Sequence, residues 1–380
     1  MTQRLMRTST VVVVLASCSP TILTSDSADH VALERVSQAF PRPVEGDFVV
    51  RNYTFATGET LPEVRLHYRT LGTPIKDANG VVRNAVLILH GTGDSGEGLV
   101  SDGFGLPLYG KGQPLDAQRY YIVAPDNVGH GRSSKPSDGL RSTFPQYRYA
   151  DMVRLQYQLV TERLGLSRLR LVVGLSMGAM HAWMWGYMYP TVPDGLVALA
   201  SNPVQIGGRN RLWRKLIIDA ITRDPSWKDG NYSDQPTGMA TAIGILGIAT
   251  SSPLALQKEM PTAEAADRGL ADYVGSELRR RDANDMLYAF RASEDYDPSP
   301  HLEKITAPFL AINPSDDFIN PRELPMMRSL IGRVKHGRFV EIPVSDESLG
   351  HSTIGQSRVW VPYVERFLKE LPSTPAAVSR

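Results

Sequence analysis

A serine between two glycines constrains the fold of this chain more than any other feature. Residues 169–175 are mostly apolar, Ser176 follows them between Gly174 and Gly178, and an amphipathic segment comes next. This order predicts a strand, a sharp turn and a helix. Both flanking positions require glycine, because a Cβ atom there would collide with the neighbouring strand or helix. The pattern places the Ser176 hydroxyl at the carboxyl edge of a sheet, where the N–H of Met177 opens the next helix.

The spacing of apolar runs predicts an α/β fold. Six runs have the character of buried strands: residues 85–89, 120–126, 169–175, 195–200, 308–312 and 339–343. Helical patterns separate most of them, which indicates a parallel sheet with right-handed crossovers. Short strand-like segments over residues 48–69 predict an antiparallel start, and residues 361–371 predict a final amphipathic helix. The alternation stops over residues 202–302, where helical patterns without strands indicate a cap.

The N-terminus has the pattern of an export signal. Arg4 and Arg7 precede an apolar run at residues 11–16, which is far shorter than the roughly 20 residues that span a bilayer. The tetrad at residues 15–18 resembles the lipobox of bacterial lipoproteins, and Cys18 is the single cysteine of the chain. We therefore expect lipidation of Cys18 and export to the periplasmic side of a bacterial membrane. The alternative is a short hydrophobic N-terminus on a cytoplasmic protein.

These patterns divide the chain into six parts. The predicted boundaries are a signal peptide at 1–18, a tether at 19–45, a first core segment at 46–201, the helical cap at 202–302, a second core segment at 303–372 and a tail at 373–380.

The charge balance limits the partners of the protein. The chain has 41 Lys and Arg residues against 40 Asp and Glu residues, a formal charge of +1 that gives no long-range attraction for nucleic acid. We expect a small ester or acyl donor as the partner, with membrane contact only through the N-terminal lipid. We expect neither a metal nor a cofactor, since 380 residues can bury a full core without either.

A serine hydroxyl is a poor nucleophile alone, so Ser176 predicts a histidine base and a carboxylate that orients it. In a sheet of this kind the acid and then the histidine follow the serine, each in a loop after a strand. Asp316 and Asp317 follow the run at 308–312, and His351 follows the run at 339–343. The spacing leaves the choice between the two aspartates open.

The loop after residues 85–89 predicts the rest of the site. The N–H of Thr92 is expected to stabilise an oxyanion together with the N–H of Met177. His90 and His130 lie in loops at the same sheet edge, where we expect them to form turns.

The chain resembles the α/β-hydrolase superfamily and, within it, the homoserine O-acetyltransferase-like group. The motifs that carry the resemblance are residues 64–72, Phe144-Pro145 with 151–154, 175–180, Asp224-Pro225 with 230–232, Asp317 and His351. The resemblance implies a mostly parallel central sheet flanked by helices, with the cap inserted before the acid-bearing strand. In similar sequences the acid stands four residues before a proline, which favours Asp317 because Pro321 follows at that distance. Relatives commonly pair through their caps, which implies a homodimer.

The chain departs from this group at positions that bind the acceptor. The acetyltransferases it resembles carry an arginine two residues before the Ala-Ile that precedes the Asp-Pro, and an aspartate directly after the catalytic histidine. Here these positions are Ile218 and Ser352. Arg214, one helical turn before Ile218, could reach the same side. Leu175 replaces the glycine before the family serine, which is expected to narrow the site.

We interpret the chain as a serine-dependent enzyme that transfers an acyl group through an acyl-enzyme. Hydrolysis of a carboxylic ester is the favoured reaction, since acetyl-CoA is a cytosolic metabolite that an exported enzyme would not meet. The alternatives are an O-acyltransferase of the homoserine O-acetyltransferase type and a catalytically silent binding protein. The apolar residues Met239, Ile243, Leu246 and Leu254 favour the core of the cap, which is the more common role of such a stripe, with an acyl pocket as the alternative.

Overall fold

An eight-stranded sheet forms the centre of the computed structural model, which describes residues 40–372. The strands are β1 Val44–Thr54, β2 Thr60–Leu71, β3 Ala85–Leu89, β4 Tyr121–Pro125, β5 Leu171–Leu175, β6 Leu196–Leu199, β7 Phe309–Pro314 and β8 Gly337–Ile342. Their order is β1-β2-β4-β3-β5-β6-β7-β8. The β1–β2 and β2–β4 pairs are antiparallel, and all other pairs are parallel. The predicted mostly parallel sheet with an antiparallel start is confirmed.

The antiparallel start is one long hairpin instead of several short strands. Strand β1 pairs with β2 from Val44 opposite Thr70 to Thr54 opposite Thr60. It thus begins inside the segment predicted as a tether (19–45), where Glu45 accepts a hydrogen bond from Arg69 Nε at 3.1 Å. The predicted signal, Cys18 and the tail at 373–380 lie outside the described residues.

Helices cover both faces of the sheet. Outside the cap they are α1 Gly96–Leu99, α2 Asp102–Tyr109, α3 Tyr149–Gln158, α4 Met177–Met188, α10 Met326–Leu330 and α11 Ser357–Glu370. Alternate strand residues enter opposite cores: Val172 packs on the side of α3 and α4, whereas Leu171 and Val173 pack on the side of α1, α2 and α11. Burial on both faces explains why these strands are continuous apolar runs.

The last helix, α11, begins four residues earlier than predicted. It starts at Ser357, so Pro362 lies inside the helix instead of in its first turn. Pro362 is exposed, and a helix tolerates the lost N–H bond best on its solvent side, where it can curve.

Between β6 and β7 the chain forms the predicted helical cap. Its helices are α5 Gly208–Thr222, α6 Gly238–Thr250, α7 Pro253–Glu259, α8 Ala263–Leu278 and α9 Ala283–Ala292. Residues from α5, α6 and α9 share a core of their own, separate from the two cores on the sheet. Within residues 40–372 no single helix has the length and apolar content to cross a membrane; α6 and α7 meet the criterion only as a pair, bent by 109°.

Candidate active site

The turn at Ser176 has the geometry that its glycines predict. Strand β5 ends at Leu175 and α4 begins at Met177, so Ser176 alone makes the turn, with φ of 52° and ψ of −108°. A positive φ is strained for a residue with a side chain. A Cβ at Gly174 would lie 1.9 Å from the Gly178 carbonyl oxygen, and one at Gly178 would lie 2.2 Å from the carbonyl oxygen of Leu89. Glycine is therefore required at both positions.

The structure brings Ser176, His351 and Asp317 into one line. His351 Nε2 lies 2.8 Å from Ser176 Oγ, and His351 Nδ1 lies 2.9 Å from Asp317 Oδ2. Ser176 follows β5, Asp317 follows β7, and His351 lies in the turn Gly350–Gly355 after β8. Because β5, β7 and β8 run parallel, their carboxyl ends meet at one edge of the sheet. The arrangement allows a proton to pass from the serine hydroxyl to the imidazole.

Asp317 is held as a carboxylate despite its burial. Its Oδ1 accepts hydrogen bonds from the N–H groups of Ile319 at 2.7 Å and Asn320 at 3.2 Å, and its Oδ2 accepts one from Asn320 Nδ2 at 3.0 Å. Burial opposes ionisation of Asp317, but the adjacent His351 ring and the Asn320 donors together keep its pKa below the ordinary value. An ionised Asp317 holds the proton of His351 on Nδ1, which leaves Nε2 free to accept one.

The neighbouring aspartate has a different contact. Asp316 Oδ2 accepts a hydrogen bond from the backbone N–H of Gly350 at 2.9 Å. It therefore holds the loop that carries His351 and does not contact the imidazole, so of the two aspartates left open by the spacing the structure brings Asp317 to the histidine.

Two backbone N–H groups close to Ser176 are candidates for an oxyanion hole. Met177 is the first residue of α4, and Thr92 follows Gly91, where a Cβ would lie 3.5 Å from the Cβ of Ser176. Neither the Met177 nor the Thr92 N–H donates a hydrogen bond to another residue between 40 and 372. Free N–H donors at this place can stabilise the charge of an oxyanion.

Two buried histidines, His90 and His130, form hydrogen bonds in and around the loop that contains Thr92. His130 Nε2 lies 3.1 Å from the Thr92 carbonyl oxygen, and His90 Nε2 accepts a hydrogen bond from the N–H of Asn127 at 3.1 Å. Burial lowers the pKa of His90, and burial together with the nearby His90 ring lowers the pKa of His130 to about 3. Both rings are therefore neutral near pH 7 and hold the loop by hydrogen bonds. The sequence predicted turns at these histidines but not their support of the oxyanion loop, which no spacing signal reveals.

A cavity of about 610 Å³ opens beside Ser176 between the sheet and the cap. Its wall includes Met180 from α4, Arg214 from α5, and Tyr296 and Asn320 from the loops on either side of β7. This volume is typical of a site for a small molecule.

A family comparison agrees with this geometry. The family described as the alpha/beta hydrolase fold matches residues 84–341. The chain belongs to the α/β-hydrolase family. The predicted resemblance to the homoserine O-acetyltransferase-like group is confirmed by a homoserine O-acetyltransferase of Thermobifida fusca (strain YX), which is 33% identical over 303 residues, or 70% of this chain and 78% of the relative.

Solved structures share the fold of this α/β hydrolase. Esterase E22 superposes with a TM-score of 0.75 at 20% identity, over 86% of this chain and 100% of that one. Homoserine O-acetyltransferase from Bacillus anthracis superposes with a TM-score of 0.74 at 23% identity, over 87% of this chain and 99% of that one. The same scaffold therefore carries esterases and acetyltransferases.

The predicted substrate residues of this α/β hydrolase separate into two sets. Arg214 lines the cavity beside Ser176. Leu175, Ile218 and Ser352 are not part of the cavity wall. Leu175 packs in the sheet core and Ile218 in the cap core, whereas the Ser352 hydroxyl donates a hydrogen bond to the Thr250 carbonyl at 3.0 Å.

The apolar residues of the cap, Met239, Ile243, Leu246 and Leu254, do not line the cavity beside Ser176. Met239 and Ile243 are buried in the cap core, and Leu254 is exposed on α7. Leu246 borders a second cavity, next to the Thr92 loop. The apolar stripe of α6 thus packs the cap together, and the cavity beside Ser176 is lined by other residues.

Over residues 40–372 the structure contains no cluster of three or more His, Cys, Asp or Glu side chains that could hold a metal ion. The homodimer through the cap stays a prediction.

Proposed function

We propose that this α/β hydrolase cleaves a carboxylic ester through an acyl-enzyme on Ser176. The observation that carries the proposal is the continuous line from Ser176 Oγ to His351 Nε2 at 2.8 Å and from His351 Nδ1 to Asp317 Oδ2 at 2.9 Å. Esterases and acyltransferases among the similar proteins support this class of chemistry.

The proposed reaction has two steps, acylation of Ser176 and hydrolysis of the acyl-enzyme. As Ser176 Oγ attacks the ester carbonyl carbon, His351 Nε2 takes the hydroxyl proton. The N–H groups of Met177 and Thr92 donate hydrogen bonds to the oxyanion, and Asp317 stabilises the imidazolium. The imidazolium then protonates the departing alcohol, and the acyl group remains on Ser176. Water, deprotonated by His351, attacks the acyl-enzyme and releases the acid.

Hydrolysis is favoured over transfer to an amino acid because the ammonium group of a zwitterionic acceptor lacks a buried anion. An unpaired charge in a closed site costs about 3–5 kcal/mol. Ser352 provides no anion after His351, whereas Arg214 supplies a cation in the wall of the cavity. The second candidate is an O-acyltransferase of the homoserine O-acetyltransferase type, which the 33% identical relative favours. A silent binding protein is disfavoured by the alignment of three reactive side chains.

A substrate comparison tests the proposal. The purified protein is incubated with p-nitrophenyl acetate and, separately, with acetyl-CoA and homoserine. We expect ester cleavage, labelling by a fluorophosphonate, and loss of both in Ser176→Ala, whereas Ser233→Ala, at an exposed serine in the cap, retains both. Formation of acetyl-homoserine with negligible ester cleavage would favour the transferase. Absence of labelling in the wild type would favour the binding protein.

We also propose that the protein is exported and anchored by a lipid on Cys18, from the lipobox-like tetrad at residues 15–18. In a bacterial host the full chain is expected in the membrane fraction, and Cys18→Ser is expected to release it. Equal partition of the two into the soluble fraction would contradict the anchor.

A further inference from the structure

The cavity beside Ser176 contains a buried arginine that lacks a counter-charge. Arg214 is 2% exposed and lines the same cavity as Ser176. Its Nε donates to Asn210 Oδ1 at 2.9 Å, and its Nη1 makes a long contact of 3.4 Å with Ser293 Oγ. Within the described part of the chain, no carboxylate oxygen lies within 4.0 Å of its guanidinium nitrogens. The nearby Arg211, by contrast, is paired with Glu294 at 3.8 Å.

Aromatic rings compensate this charge only in part. The guanidinium carbon lies 4.9 Å from the ring centroid of Trp213 and 5.4 Å from that of Phe290. Cation–π contacts are weaker than an ion pair in a desolvated site. Burial lowers the pKa of Arg214, which shows that its surroundings disfavour the charged form. A buried cation of this kind is usually retained because something else supplies the negative charge.

A second buried polar group lies next to Arg214. The Tyr149 side chain is fully buried, and no described residue forms a hydrogen bond of 3.5 Å or less with its hydroxyl. The side chains of Arg214 and of Thr92 in the oxyanion loop are its polar neighbours. A buried cation without a counter-charge, next to a buried hydroxyl without a close hydrogen bond, points to an absent anion.

We propose that Arg214, assisted by the Tyr149 hydroxyl, binds a carboxylate of the ester that Ser176 attacks. The inference rests on the proposed function and narrows its substrate class to small esters that carry a free carboxylate, in either the acyl or the alcohol part. Glu323 is the acidic side chain in the wall of this cavity, and it is exposed. The cavity therefore fits an anion without an adjoining ammonium group, in contrast to a zwitterionic amino acid.

Two matched pairs of esters test this substrate class. The first pair places the charge in the acyl part: mono-(p-nitrophenyl) glutarate against p-nitrophenyl butyrate. The second pair places the charge in the alcohol part: 3-acetoxypropanoate against its methyl ester. The hydrolysis of this pair is measured from the acid released at constant pH. We expect wild-type kcat/KM to favour the charged member of at least one pair by about 10-fold or more, since a charge-assisted hydrogen bond contributes roughly that discrimination.

Variants of the arginine locate the preference. Arg214→Gln is expected to abolish it, so that the ratio of kcat/KM between the charged and the neutral ester falls to about 1, mainly through a higher KM for the charged ester. Arg214→Lys keeps the charge and is expected to retain part of the preference. Arg223→Gln removes the same charge from an exposed site at the end of α5 and is expected to leave the preference intact.

A measurement on the wild type keeps the proposal falsifiable if Arg214→Gln does not fold. Glutarate is expected to inhibit hydrolysis of p-nitrophenyl acetate competitively, and the uncharged glutaramide is expected to inhibit far less. Equal kcat/KM within both pairs, together with no inhibition by glutarate, overturns the anion site while ester hydrolysis itself stands. Failure to cleave any of these esters, with no fluorophosphonate labelling of Ser176, overturns the proposed function as well.

Discussion

Asparagine at position 317 would place an N–H donor in a pocket that presents only donors. The two oxygens of Asp317 accept from four groups: the N–H groups of Ile319 and Asn320 at Oδ1, and Asn320 Nδ2 and His351 Nδ1 at Oδ2. If the amide oxygen of Asp317→Asn stays on the two backbone N–H groups, its NH₂ faces His351 Nδ1. That nitrogen must then accept, so the imidazole proton moves to Nε2 and points at Ser176 Oγ.

With its proton on Nε2, His351 cannot accept the proton of the Ser176 hydroxyl. The loss of this base sets the size of the expected fall in kcat. Turning the amide round does not help, because its NH₂ would then oppose two backbone donors. Each orientation leaves unsatisfied groups in a buried site, so we expect kcat to fall by about 10³- to 10⁴-fold, or roughly 4 to 5.5 kcal/mol of barrier. Asp316→Asn is the matched control: it keeps an oxygen for the Gly350 N–H and is expected to change kcat by less than about 10-fold.

The assay is hydrolysis of p-nitrophenyl acetate at saturating substrate. The rate of fluorophosphonate labelling of Ser176 is a second measurement, because it also depends on His351 acting as a base. Circular dichroism and thermal unfolding show whether both variants are folded. If Asp316→Asn lowers kcat more than Asp317→Asn does, or if Asp317→Asn is folded and retains a tenth of the activity, the assignment of Asp317 is wrong.

Three further predictions follow from the described contacts. Gly174→Ala is expected to lower the free energy of unfolding by more than about 3 kcal/mol in a urea titration, because its Cβ would lie 1.9 Å from a carbonyl oxygen. Gly332→Ala, with nothing within 4 Å, should change it by less than about 0.5 kcal/mol. Burial raises the pKa of Asp285 from 3.8 to about 7, so the folded state holds this proton more tightly than the unfolded chain. The free energy of unfolding therefore falls as the pH rises between these two values. Asp285→Asn should remove this pH dependence, measured by thermal unfolding at several pH values between 3.8 and 7. His130→Phe deletes the ring nitrogen next to the Thr92 carbonyl. This variant is expected to lower kcat for p-nitrophenyl acetate by about 10-fold with little change in KM. An unchanged kcat would refute a role for this contact.

The sequence by itself determined the features that depend on neighbours along the chain. Gly174 is specified locally, because a Cβ there would collide with the carbonyl oxygen of Gly178, four residues further on; the collision that requires Gly178 comes from Leu89 in β3 instead. The parallel strands were equally readable, since burial on both faces requires continuous apolar runs. The order of serine, acid and histidine then placed Asp317 and His351 in loops at the same edge.

The residue spacing left pairs of close candidates open, and the tertiary structure shows which member of each pair faces the site. Asp316 and Asp317 are adjacent, yet one contacts a backbone N–H and the other the imidazole. Arg214 and Ile218 lie one helical turn apart, but Arg214 reaches the cavity and Ile218 the cap core. The apolar stripe of α6 allowed either cap core or an acyl pocket, and Met239 and Ile243 of this stripe pack in the cap core. The physical reason is that periodicity shows which face of a helix is apolar, whereas the surface that this face meets depends on segments far away in the chain.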